Sequence, residues 1–211
     1  ADIREGVAVR RLVPDGDGVV VETGDSSLRA DRVLLCAGSW MGDLVPELAL
    51  PLRPTRQTFA YVATPETPAA PNLVWIDAAT YWYGFPADGR LPGVKLARHV
   101  PGDDVHPDRV PRTVDDAERA AAAEVARQRV PGAGDVLEAA TCLYTNTPDE
   151  HFVLDHALGG RATVASACSG HGFKFAPLVA RLAADAVENG RWRDDLTPFA
   201  ASRFHTQTRE S

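Results

Sequence analysis

"SACSGHGFKFAP" (Ser166–Pro177) follows the apolar run Ala162–Ala167 and leads into a helix-like stretch, Phe175–Asn189, that Gly190 closes. The order is strand, glycine-rich turn, helix. Such a turn leaves the first N–H groups of a helix free at the positive end of its dipole, where an anion or an electron-rich carbonyl is favoured. Lys174 stands in this first turn, where the dipole disfavours a cation. Its position therefore calls for a negative partner. A plain strand–turn–helix with a solvent-facing lysine fits the same letters.

Upstream, "GVAVRRLVPDGDGVVVETGDSSLRADRVLLCAG" reads as a three-strand meander: Val7, Val9 and Leu12 begin it, Val19–Thr23 continues it and Arg32–Ala37 ends it. "PDGDG" and "TGDSS" supply the turns. "GSW" opens a short helix, Trp40–Leu44, closed by Pro46, and "LRPTRQTFAYVAT" is a strand that Pro54 forces to enter extended. "LVWIDAATYWYGFPADGRLPGVKLARHV" reads as three short strands separated by "DAAT" and "ADGRLPG". Trp75, Tyr81, Trp82, Tyr83 and Phe85 are dense enough there to line a pocket. Asp115–Arg129 is the clearest helix, with an acidic first turn, an alanine-rich body, basic residues at its end and Thr113 as cap candidate. "VLEAATCLYTNTP" and "HFVLDHA" are further strands, and the polar tail from Arg203 is expected to fray. The class is α+β: a mixed, largely antiparallel sheet with flanking helices.

Apolar residues make up 45% of the 211, enough for a core, and 29 acidic against 22 basic residues give a formal charge of −7. An acidic chain excludes nucleic acid and anionic membrane surfaces as expected partners. No apolar run reaches the ~18 residues of a membrane span. Cys36, Cys142 and Cys168 show no CxxC spacing and fit free thiols in a reducing, cytoplasmic setting. GxSxG, Walker A and GxGxxG patterns are all missing. His151 and His156 lack metal-site spacing and read as solvated or capping residues. In the strand "PGVKLARH", Val94 and Leu96 point one way, and Lys95, Ala97 and His99 the other. If the second face is the aromatic one, Lys95 is a shielded cation and a candidate for chemistry. Each cysteine also fits a small buried hydrophobe.

"ATCLYTNTPDEHFVLD", "SGHGFKFAP", "YWYGFPADGRLPGVKLARH", "RADRVLLCAGSW" and "PLRPTRQ" together resemble the C-terminal half of the monomeric sarcosine oxidase and N-methyl-tryptophan oxidase family, in the right order and over nearly the whole chain. These are FAD enzymes that oxidise secondary N-methyl amino acids. The resemblance implies the substrate-domain half of a two-domain flavoprotein. Residues 1–45 would return to the FAD-binding domain. Residues 46–140 would form the substrate-binding domain, and residues 141–211 the flavin-contacting strands, the GHGFK loop and the C-terminal helix.

The resemblance also implies roles. Cys142 matches the cysteine that carries FAD through a thioether. Lys174 matches the lysine at the pyrimidine end of the flavin, which also helps to hold the substrate carboxylate. Gly170, His171 and Gly172 match the loop against the ring, and Gly38 a flavin-contacting strand–turn. Lys95 matches the lysine near flavin N5 that promotes reaction with oxygen. Tyr83, His99 and Tyr144 match residues walling the substrate cavity. Phe173 and Phe175 are expected to fix Lys174 between them and limit water. The implied reaction moves a hydride from the C–H beside a secondary amine to the flavin, with oxygen returning hydrogen peroxide. A dehydrogenase, a cyclic imino-acid oxidase or a non-catalytic small-carboxylate-binding fragment are the alternatives. The chain opens on Ala1 and lacks the family's ADP-binding βαβ unit, so it is expected to be a piece of a longer protein or to be completed by a missing N-terminal FAD-binding half. Arg98 departs from a smaller or aromatic residue in some relatives and bears on substrate size.

Overall fold

The computed structural model describes residues 1–65, 81–87 and 89–205, and the backbone of Leu73–Trp75. The expected "DAAT" separator and the Trp75 side chain lie outside the described residues. The chain divides into two compact units, one made of Ala1–Arg53 with Thr145–Ser211, the other of Pro54–Tyr144.

The first unit holds two sheets. Strands β1 (Val9–Asp15), β2 (Gly18–Thr23) and β3 (Ser27–Ala30) form an antiparallel meander. The expected third strand, Arg32–Ala37, is not part of it. Its core, β4 (Val33–Leu35), instead pairs in parallel with β11 (Ala162–Ser166) in a second sheet, which β10 (Val153–Ala157) completes antiparallel. The meander is closed by Ser27–Ala30, whose burial is slight; a fully apolar segment such as Val33–Leu35 gains more where both faces are covered. One face of this second sheet packs Val164 and Leu35 against Leu12, Val19, Met41 and Val45; the other packs Leu154 and Ala165 against Ala183. Met41 begins α1 (Met41–Leu44), which a 3-10 turn at Gly38–Trp40 precedes. Ala183 lies on α3 (Ala176–Asn189), which ends, as the sequence predicts, at Gly190 in the left-handed region with φ of 70°. The tail does not fray at Arg203. Its guanidinium pairs with Asp149 at 2.7 Å and it sits in a 3-10 turn, Ala201–Phe204.

The second unit is one antiparallel sheet with the order β6 (Leu73–Trp75), β7 (Trp82–Phe85), β8 (Gly93–Arg98), β5 (Arg53–Ala63), β9 (Val136–Asn146). Val62, Val94 and Leu96 on one face pack against Ala126 and Val130 of α2 (Asp116–Arg129) and its end. Mixed α+β architecture with mostly antiparallel pairing is what the sequence predicts. No helix of the described residues is long and apolar enough to cross a membrane.

The cap of α2 differs from expectation. Asp115, not Thr113, is the N-cap: its carboxylate accepts from Glu118 N at 2.8 Å, and Asp115 N donates to Glu118 Oε2 at 3.0 Å. Asp115 and Glu118 have the three-residue spacing of a reciprocal capping box, which Thr113 cannot form with this helix start. Thr113 offers its carbonyl to Arg56 instead. Glu118 is held further by Arg56 at 3.0 Å and by the Thr58 hydroxyl at 2.7 Å. The Arg56 guanidinium holds its carboxyl down at about 2. A depressed carboxyl stabilises the fold above its unfolded value of 4.5, and that contribution disappears as pH falls towards 2. Glu118→Gln is therefore expected to lower stability at pH 7 by about 1 kcal/mol. The gap to the parent protein in urea melts should close as pH falls below 4; a gap that stays constant to pH 2.5 contradicts the assignment.

Candidate functional site

Alternation along β8 decides what the second unit presents on the face away from α2. Register pairs Lys95 with Tyr61 on β5 and with Phe85 on β7, and Ala97 with Phe59 and Tyr83. Lys95 thus points into the aromatic face. Its ammonium lies 4.3 Å from the centre of the Phe59 ring and 6.0 Å from that of Tyr61. A cation over ring faces is attracted by their quadrupoles, by about 0.5–2 kcal/mol, and is thereby oriented. No local sequence pattern marks Phe59 and Tyr61 as the platform for this cation. Their alternation with Ala60 and Val62 marks a strand face, but which strand that face meets is set by pairing.

His99 follows β8 on the same face. The Tyr144 hydroxyl stands 3.5 Å from His99 Nδ1 and 3.3 Å from the Tyr83 hydroxyl. The rings meet edge to face, His99 lying 6.0 Å from Tyr83, 5.8 Å from Tyr144 and 5.2 Å from Tyr81. Tyr81 holds a positive φ of 35°, a conformation that costs a non-glycine residue free energy, and its carbonyl accepts from His99 N at 2.9 Å. Burial pushes both phenols up, Tyr144 well above the usual range, so both remain protonated donors. Cys142, two residues before Tyr144 on β9, is half-buried. Desolvation pushes its thiol up, while the Lys95 and Arg112 cations act against that rise. The structure therefore brings Lys95, His99, Tyr83, Tyr144 and Cys142 together within one unit.

Two expectations change here. Trp82 pairs with Arg98 and packs with the Val62–Leu96 core, so it faces α2 and is not part of the Lys95 face. Arg98 lies on that same opposite side, lining a cavity with Trp82 and Ala122. One step along a strand reverses the side-chain direction, so Arg98 cannot wall the space beside Lys95 and His99.

The remaining expected residues belong to the first unit. Gly38 opens its 3-10 turn at φ of 52°, and Ser39 beside it shares a 2.8 Å hydrogen bond with the Thr145 hydroxyl. Ser169, with a positive φ of 55°, donates its N–H to Thr145 O at 2.9 Å and accepts from Thr147 N at 3.3 Å. The Gly38 turn and the GHGFK loop thus hang from one segment, Thr145–Thr147. Gly170 follows at φ of 73°. Gly172 is required by close approach: a Cβ there would sit 1.6 Å from Ala167 O. His171 stacks on Phe152 at 5.2 Å, and its Nδ1 donates to Ser169 O at 2.9 Å. Lys174 lies in the 3-10 turn Phe173–Phe175, just before α3, whose first turn has no side-chain cap.

The phenylalanine sandwich is not formed. Lys174 is exposed, with its ammonium 5.2 Å from the Phe175 ring, while Phe173 is 95% exposed. In a 3-10 turn, side chains one residue apart diverge by a third of a turn, so two flanking rings cannot both reach the middle cation. No cluster of three metal-ligating side chains occurs among the described residues. His156 is instead partly buried beside the Thr163 hydroxyl at 3.5 Å, and burial lowers its proton affinity.

Each unit by itself offers one kind of group: in the first, the exposed Lys174 cation at the start of α3 suits a negatively charged partner, and in the second, the half-buried Cys142 thiol is acted on by the Lys95 and Arg112 cations. A direct check, on the flavin-free chain, is alkylation of the thiol by iodoacetamide, followed peptide by peptide. Cys142 is expected to react slowly below pH 9, and Lys95→Met should slow it further by removing one cation. Unchanged or faster alkylation in the variant contradicts this electrostatic coupling.

The model of the family described as FAD dependent oxidoreductase matches residues 1–186. N-methyl-L-tryptophan oxidase of Escherichia coli K12 is 36% identical over 198 residues, covering 90% of this chain and 52% of that protein. The chain spans about half the length of the curated relatives it matches. Among solved structures, NikD, an unusual amino acid oxidase essential for nikkomycin biosynthesis, superposes with a TM-score of 0.78 at 27% identity, over 93% of this chain and 55% of that one. Glycine oxidase from Geobacillus kaustophilus shares the fold, with a TM-score of 0.71 at 21% identity over 93% of this chain and 52% of that one.

Proposed function

The chain belongs to the FAD dependent oxidoreductase family, and from that premise we propose that it supplies the substrate-side and flavin-ring contacts of an oxidase of N-methyl amino acids or related secondary amines. The observation that carries this reading is the single sheet face on which Lys95, His99, Tyr83, Tyr144 and Cys142 converge. The 36% identity to an N-methyl-L-tryptophan oxidase supports the substrate class. Contacts to the ADP part of FAD are proposed to come from outside these residues, since no GxGxxG occurs in them. The free thiols suit a cytoplasmic setting.

When bound, FAD supplies the two-electron acceptor for oxidation of the C–H bond beside the amine. The protein's groups divide the remaining work. The protonated Tyr83 and Tyr144 hydroxyls donate to the substrate, and His99 orients Tyr144 through their contact. The aromatic walls around His99 limit water beside the reacting carbon. Lys174, exposed at the start of α3, would stabilise negative charge on the bound cofactor. Lys95, oriented by Phe59 and Tyr61, stabilises the negative charge that develops on oxygen as it is reduced to hydrogen peroxide. Cys142 would hold the cofactor through its sulfur.

Two measurements on the full-length protein test these roles. Acid-precipitated Cys142→Ser protein is expected to release its flavin into the supernatant, whereas the parent keeps it in the pellet; yellow colour in the variant's pellet rejects the attachment. In stopped-flow, Lys95→Met is expected to slow reoxidation by oxygen about a hundredfold, on the order of 3 kcal/mol, with much less effect on reduction by substrate. Equal slowing of both half-reactions rejects the role of Lys95.

A further inference from the structure

The α2 side of the second unit carries a cavity that the proposed chemistry does not use. It measures about 630 Å³, within the range of small-ligand sites. Its shape follows from the sequence: the alanine-rich body of α2 sets Ala121 and Ala122 opposite the bulky Trp82, and small side chains leave the gap open. Two guanidinium groups reach it. Arg56 is already bound by Glu118 at 3.0 Å. Arg98 is exposed and forms no ion pair with the described residues. Two further carboxylates line the wall. Asp115 is occupied in capping α2, while Asp103 is exposed and likewise has no partner among the described residues. What remains is one uncommitted cation, one uncommitted anion and the half-buried indole of Trp82.

We propose that this cavity is a second binding site, for a small zwitterionic aromatic amino acid. Arg98 takes the carboxylate in a bidentate grip, Asp103 takes the ammonium, and the aromatic side chain lies against Trp82 between the sheet and α2. A carboxylate without an amine meets Arg98 but is repelled by Asp103, so the pair of charges selects for the zwitterion. The cavity shares Phe59 with the Lys95 face, but neither Lys95 nor His99 lines it.

The test uses the full-length protein and L-tryptophan as probe, measured by equilibrium dialysis. Arg98→Ala is expected to weaken binding at this site by at least about tenfold. Asp103→Asn should weaken it less and should remove the preference for L-tryptophan over indole-3-propionate. Lys95→Met, on the other face, should leave it unchanged. Because Arg98 is exposed, the variant should fold, which a melting curve checks, and Arg98→Lys should bind with intermediate strength. kcat/KM of Arg98→Ala at low substrate should match the parent. The proposal is overturned if L-tryptophan binding survives Arg98→Ala, if it is lost in Lys95→Met, or if no saturable binding occurs up to about 10 mM.

Discussion

A side chain on a strand has two directions available, and along β8 this binary choice governs the second unit. Val94 and Leu96 are buried against α2 and fix the strand's orientation, because a shift of one residue would drive them into water. Burying two such side chains is worth about 1.5–3 kcal/mol each, more than any single contact Lys95 makes. Lys95 is therefore not chosen a place by its own interactions. It is carried to the aromatic face by its neighbours' burial, and the Phe59 and Tyr61 rings then define where the ammonium rests. The same constraint sends Arg98 to the other side, where it faces a different cavity.

The first unit depends on a different device. Its glycine loop has little apolar side chain to bury, so hydrogen bonds to Thr145–Thr147 hold it. Ser169 is 6% exposed and spends both its backbone donor and its hydroxyl on that segment. Three successive constraints, the positive φ at Ser169 and Gly170 and the missing Cβ at Gly172, bend the chain from β11 into α3 within a few residues. The bend leaves Lys174 exposed at the start of α3, where a negatively charged partner can reach it.

Electrostatics separates structural charges from chemical ones. Glu118 and Asp149 are held ionised by bound arginines and stabilise the fold. Cys142, Tyr83 and Tyr144 are pushed the opposite way by burial, towards their neutral forms, with few charged partners of their own. Neutral donors and a restrained thiol on a half-buried face are poised to respond to charge brought by a ligand.

Local pattern determined much of this in advance. The period-two alternation of "GVKLARH" put Lys95 and His99 on one face, the acidic start and alanine body announced α2, and Gly190 marked the end of α3. Each depends on neighbours a few residues apart. The errors lie where the deciding partner is remote in sequence. Val33–Leu35 reads as the end of a meander, but its burial is set by β11, more than a hundred residues on. The Phe59 and Tyr61 platform under Lys95 exists only through the β5–β8 register. Trp82 and Tyr83 are adjacent in the chain, and the sheet places them on opposite faces. Composition and short-range spacing fix which elements form. Which faces meet is decided by the pairing of distant strands, where the free energy of burial is summed over the whole sheet and outweighs any local preference.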